Sequence, residues 1–152
     1  MREDFVFNTL DKHRGRFLEL AESCPEDKRY IVPEHFNNTL HWQIGHVLTM
    51  TEHLIFGLTK KNSNLPVYYK DLFGSGTRPT EWRENAPEWD FLMAQLREQP
   101  DRIHDLFTNK LGVSVEGNFL KAESVGELIL SSVMHEISHV GTVSAMLKLL
   151  HS

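Results

Sequence analysis

The sequence predicts an all-α fold, a four-helix bundle with a long crossover between its second and third helices. Three observations lead there. Apolar residues recur at three- and four-residue steps in four segments, no segment alternates as a strand does, and a long polar, punctuated stretch separates the two middle helices. A chain of 152 residues fits one domain, taken as 1–152. It is large enough to bury about two-thirds of its unfolded surface without a disulfide or structural metal.

The first helix carries Val6, Leu10, Phe17, Leu20 and Ala21 on one side and is closed by Pro25. A loop containing Pro33 leads to Asn37-Asn38-Thr39, whose short side chains suit a helix start because they accept from its free N–H groups. The second helix runs from about Leu40 to Leu58, with Ile44, Val47, Leu48, Thr51, Leu54 and Ile55 along its stripe. Residues 59–86 form the connection, broken by Pro66, Gly74-Ser75-Gly76 and Pro79, with Val67-Tyr68-Tyr69 and Leu72-Phe73 expected to pack. The third helix starts near Pro87 and presents Trp89, Leu92, Met93, Leu96, Ile103, Leu106 and Phe107. Pro100 removes a main-chain donor from it, which predicts a kink or break over Leu96–Pro100. After an irregular stretch at 109–123, Ser124-Val125-Gly126-Glu127 reads as a capping box opening the fourth helix. Its stripe runs through Leu128, Ile129, Val133, Val140, Val143, Met146 and Leu150.

Charge and composition exclude several functions. A net charge of −5 lacks the positive surface that duplex binding requires, so no nucleic-acid partner is expected. No apolar run spans a bilayer and the N-terminus lacks a signal-peptide pattern, so no membrane association is expected. The single cysteine, Cys24, fits a reducing cytoplasm, the expected location. Gly74-Ser75-Gly76 lacks the lysine and spacing of a phosphate loop and reads as a turn.

Nine histidines are the unusual feature. In His135-Glu136-Ile137-Ser138-His139 the two imidazoles lie four apart, so on a helix they share a face and can reach one ion. The same spacing also suits two core histidines satisfied by main chain or carboxylate. Read literally, H-E-x-x-H is a zinc-protease motif with Glu136 as base. Only 13 residues follow His139, too few for the downstream third ligand, and the longer variant fails at Thr142 and Ala145. A third ligand must come from elsewhere. The second helix holds His41, His46 and His53, with Glu52 beside them; yet periodicity puts His46 and His53 on a face away from the apolar stripe, which reads as exposed.

Three segments carry a family resemblance. Trp42-Gln43-Ile44-Gly45-His46-Val47-Leu48 with Glu52 resembles the second helix of the DinB-like/YfiT-like superfamily. The run from Gly126 through His135-Glu136-x-x-His139-x-Gly141 resembles its last helix, and Phe73-Gly74-Ser75-Gly76 through Pro79-x-x-Trp82 its crossover. The resemblance implies a metal triad of His46, His135 and His139, and a homodimer. Many members carry Gln where Thr142 stands, which leaves any role of that position in doubt.

Three neutral imidazoles leave a coordination position open and suit Zn, Ni or Fe(II). The resemblance implies a metal-dependent enzyme acting on a small-molecule substrate, either a hydrolase or a thiol-dependent S-transferase or detoxifying enzyme. The thiol would be one of low molecular weight, such as bacillithiol. The transferase is preferred because the metal would supply the activation. Glu136 is the best candidate base, although as the neighbour of His135 it points about 100° away around the helix and also suits a core carboxylate. The other reading is a metal-binding stress or interaction protein without turnover, its site closed by a fourth ligand such as His53 or Glu52.

Overall fold

A computed structural model describes residues 1–151. The chain is all-α, as expected: α1 spans Glu3–Glu22, α2 Leu40–Glu52, α3 Tyr69–Phe73, α4 Trp89–Phe107 and α5 Val125–Leu150. Among the described residues the sole β pairing is an isolated bridge between Ser114 and Ser124.

The expected helix starts are built as their sequences dictate. Thr39 Oγ1 accepts from Trp42 N at 2.9 Å at the head of α2, and Ser124 Oγ accepts from Glu127 N at 3.3 Å at the head of α5. The Glu127 carboxylate reaches back to Glu123 N at 2.6 Å, one residue before the position a reciprocal box uses. Helix α2 continues into a π-turn at His53–Gly57 before the chain turns away. Within the connection Tyr69, Leu72 and Phe73 are buried on α3, whereas Val67 and Tyr68, expected to pack, are exposed.

Helix α1 packs on α4 and α5, and α2 packs on α3, α4 and α5. Cross-helix bonds fix the directions. Glu22 meets Arg97 while Glu3 meets Asn109, so α1 and α4 run antiparallel. His41 meets Pro87 while Glu52 meets Arg102, so α2 and α4 run parallel. A parallel neighbour requires the chain to travel back along the helix, roughly 25–30 Å for a helix of this length. Residues 58–88 make that return, which accounts for the long crossover.

The core is two apolar clusters separated by a polar layer. Phe17, Ala21, Ile44, Leu48, Leu92, Leu96, Val143 and Met146 belong to one. Val6, Leu10, Ile55, Phe56, Ile103, Phe107, Ile129 and Val133 belong to the other. Between them in sequence, on every long helix, lie Arg14, Thr51 with Glu52, Gln99 and Glu136, all buried. Arg14 Nε donates to Glu136 Oε2 and Nη2 to Glu136 Oε1, both at 2.9 Å. Nη2 also donates to Gln99 Oε1 at 3.0 Å and reaches Thr51 Oγ1 at 3.4 Å. Gln99 Nε2 in turn donates to Glu52 Oε1 and to the Leu48 carbonyl, both at 3.0 Å, and Arg102 clamps Glu52 with two bonds of 2.8 and 2.9 Å.

Helix α4 runs through Pro100 without the expected break. Proline cannot donate to the carbonyl four residues earlier, that of Leu96. Arg14 Nη1 donates to that carbonyl instead, at 2.8 Å. The acceptor that the proline leaves free is therefore satisfied by the charge at the centre of the molecule.

Removing one partner of a buried, hydrogen-bonded ion pair strands the other charge and typically costs about 3–5 kcal/mol. Arg14→Ala should therefore lower unfolding stability by about that amount in urea titrations. A loss below about 1 kcal/mol, the worth of an exposed pair, would contradict the arrangement.

Candidate metal centre

Helices α2 and α5 bring together His46, His135 and His139, whose candidate ligand atoms all lie within 4.8 Å of one another. Ring centroids are 4.5 to 5.1 Å apart. His46 is buried and the two α5 histidines are half-buried, so the cluster is reached from the α5 side.

Two rings have their outer nitrogen occupied. His46 Nδ1 lies 2.7 Å from the Phe73 carbonyl, which can only accept, so Nδ1 carries the proton and Nε2 presents a lone pair. His139 Nδ1 lies 2.7 Å from Gln43 Oε1. The Gln43 amide is oriented by its own Nε2, which donates to Asn38 Oδ1 at 3.0 Å, so His139 also donates through Nδ1 and leaves Nε2 free. This is the arrangement that orients metal-binding imidazoles.

His135 supplies a test of fit. Its Nε2 is 3.2 Å from His46 Nε2, and its Nδ1 is buried without a partner. A neutral His135 has one proton. On Nε2 it serves His46 and strands the Nδ1 lone pair; on Nδ1 it sets two lone pairs face to face. A cation between the facing nitrogens removes that second conflict. The spacing matches too, since two ligands of a tetrahedral ion at 2.0–2.1 Å stand about 3.3 Å apart.

The sequence around His46 serves this geometry residue by residue. Trp42 stacks on the His46 ring, centroids 4.4 Å apart and planes 12° from parallel. Its Nε1 is held by Thr77 at 2.9 Å. Gln43 orients His139. Gly45 lies against the Phe73 ring, where a Cβ would collide, and this close approach is what brings the Phe73 carbonyl to His46.

Burial lowers all three imidazole pKa values. His46 falls to about 4 because burial and the neighbouring His135 outweigh its bond to Phe73. His139 falls to about 3 through burial and the other two rings. His135 is lowered by burial, against the opposing charge of Glu136. At neutral pH the three are uncharged and ready to ligate.

A family model described as the DinB superfamily matches residues 9–143. The chain belongs to the DinB superfamily. Among solved structures, a conserved protein from Enterococcus faecalis has the same fold, with a TM-score of 0.68 at 16% identity, covering 99% of this chain and 98% of that one. No curated protein matches.

The other candidate residues fall outside the cluster. Glu136 gives both oxygens to Arg14. Glu52 is held by Arg102 and Gln99. Burial alone would raise its carboxyl, but those hydrogen bonds and the Arg102 charge bring it below the usual range. His41 bonds the Pro87 carbonyl at 2.7 Å. Thr142 Oγ1 donates to its own helix at Ser138 O, 3.2 Å away. Cys24 is buried beside Pro25, and that burial pushes its thiol pKa up, opposite to a reactive thiolate. The periodicity placing His46 on an exposed face is corrected by the fold. Along Leu40–Glu52 all but Met50 are buried, since α3, α4 and α5 cover α2.

Two outcomes follow. Gly45→Ala should displace Phe73, costing about 1–3 kcal/mol in urea unfolding and weakening zinc binding in the same protein; unchanged values for both would contradict the Gly45–Phe73 contact. For pH, unfolded imidazoles take up protons near ~6.5, whereas His46 and His139 do so only near 4 and 3. Between those values the unfolded chain binds more protons, so stability falls as pH drops below about 6.5. In thermal unfolding of metal-free protein, His139→Asn should flatten the decline between about pH 6.5 and 5, and equal slopes would contradict it.

Proposed function

We propose that this DinB-superfamily protein is a metal-dependent enzyme that uses His46, His135 and His139 to hold one divalent ion and joins a low-molecular-weight thiol to a small-molecule substrate. The observation that carries the reading is the convergence of three neutral imidazoles, two of them held through Nδ1. Among the described residues no fourth His, Cys, Asp or Glu joins them, which supports an open rather than a closed site. Zn, Ni and Fe(II) all suit three nitrogen ligands.

When bound, such an ion acidifies a coordinated water or thiol and holds the resulting anion. The chain's own contribution is orientation and exclusion. Phe73 and Gln43 fix the rotation and tautomer of their imidazoles, Trp42 covers one face of His46, and burial keeps all three rings unprotonated. In this reading Glu136 is a positioning residue. Its oxygens belong to Arg14, so no free carboxylate stands at the cluster to draw a proton from water, which supports a thiol nucleophile over hydrolysis.

Metal content of untagged protein, measured by plasma mass spectrometry, tests the site. Wild type should carry close to one ion per chain, lost in His46→Ala, His135→Ala and His139→Ala. Gln43→Ala should weaken zinc affinity about 10–100-fold. The loaded wild type should then consume bacillithiol or a similar thiol in the presence of an electrophile. No metal after incubation with Zn or Ni would overturn the site, and full metal with no thiol consumption would favour a binding protein without turnover.

A further inference from the structure

Asn38 stands one residue outside the histidine cluster's ring of partners, in the loop just before α2, and is half-buried. Its Oδ1 accepts from Gln43 Nε2 at 3.0 Å, and Gln43 Oε1 lies 2.7 Å from His139 Nδ1. The bond to Gln43 is the one hydrogen bond of the Asn38 side chain among the described residues. Thr39 supplies the cap of α2, so Asn38 has no share in starting the helix.

Asn38, Gln43 and His139 form a chain with a direction. A carboxamide has one end that only donates and one that only accepts. With Asn38 accepting, Gln43 turns its amino group outward and its oxygen inward, and that oxygen requires a proton on His139 Nδ1. Nε2 then keeps its lone pair and faces the other two rings. Turning both amides over reverses the chain without losing a bond. Asn38 Nδ2 would donate to Gln43 Oε1, Gln43 Nε2 would donate to His139 Nδ1, and the ring proton would sit on Nε2. That direction closes His139 to a metal, because a protonated ring nitrogen has no lone pair to give. No group changes its charge between the two, so hydrogen-bond direction alone separates a ligand from a blocked ring. His46 has no such freedom, since its partner, the Phe73 carbonyl, can only accept.

Resting on the reading of the three histidines as metal ligands, we propose that Asn38 is a positioning residue. By accepting from Gln43 it sets the direction of the chain, and with it the nitrogen that His139 offers to a metal. Its effect passes through Gln43 alone.

The test compares wild type with Asn38→Asp and Asn38→Leu. An ionised aspartate only accepts and holds the chain in its metal-ready direction. A leucine, similar in size, neither accepts nor donates and leaves the Gln43 amide free to turn. In metal-free protein at neutral pH, two-bond proton–nitrogen correlation spectra report which ring nitrogen carries the proton. Wild type and Asn38→Asp should hold it on His139 Nδ1, whereas Asn38→Leu should show a clear share on Nε2. His46 should stay protonated on Nδ1 in all three. Zinc affinity, measured by competition with a chromophoric chelator, should fall about tenfold in Asn38→Leu, the lower end of the loss when a group orienting a ligand imidazole is removed. Asn38→Asp should restore it. The proposal is overturned if Asn38→Leu keeps the His139 proton on Nδ1, or if Asn38→Asp behaves as leucine does. It is also overturned if His46 changes tautomer together with His139, the signature of general loosening. A wild type that takes up no zinc would instead overturn the metal reading, and the tautomers of the metal-free proteins would still decide the role of Asn38.

Discussion

Arg14 and Glu136 form a buried ion pair at a level where all four long helices present polar side chains to one another. A guanidinium taken out of water is costly unless nearly all its donors are met. Here they are met by Glu136 from α5, Gln99 and the Leu96 carbonyl from α4, and Thr51 from α2. Apolar helix faces alone tolerate sliding by a turn, because one leucine replaces another. This layer does not, since a one-turn slip of any helix would strand a charge or an amide in the core.

The same pair governs the histidine cluster. His135 adjoins Glu136 in sequence and His139 lies one turn beyond it, so anchoring Glu136 on Arg14 fixes both the height and the rotation of α5 against α2. Gln43 and Phe73 then trim the individual rings. The site is thus held from two directions: from the core through Arg14, and from the crossover through Phe73, Thr77 and Trp42. This also explains why the crossover is long and still ordered where it touches α2. It must bring α4 back parallel to α2, and on the way it delivers the carbonyl that orients His46.

Much of this was legible in the sequence, and the misses have physical causes. Thr39 and Ser124 announced their helices because capping is a local interaction. The H-x-x-x-H pair was legible because helical spacing alone brings its members together. His46 was not, since periodicity assumes one wet face and α2 has none; only the family resemblance named it. Arg14 is not legible as a core residue because a charge interrupts an apolar stripe, although its spacing from Leu10, Phe17 and Ala21 places it on that stripe. Pro100 signals the hydrogen bond it removes, but helix α4 continues through it, because the substitute donor lies 82 residues away in sequence. Likewise, local spacing leaves Glu136 open as a base or as a core carboxylate, and its bond to Arg14, 122 residues away, is a contact that no local pattern contains. Local rules saw local bonds, and the long-range polar layer became visible only in the fold.

The most direct test is a crystal structure of the zinc-loaded protein with anomalous diffraction recorded on either side of the zinc edge. The account predicts a single strong anomalous peak bounded by His46, His135 and His139, with Glu136 still bound through both oxygens to Arg14. A peak elsewhere, or Glu136 released from Arg14 to ligate the ion, would contradict it.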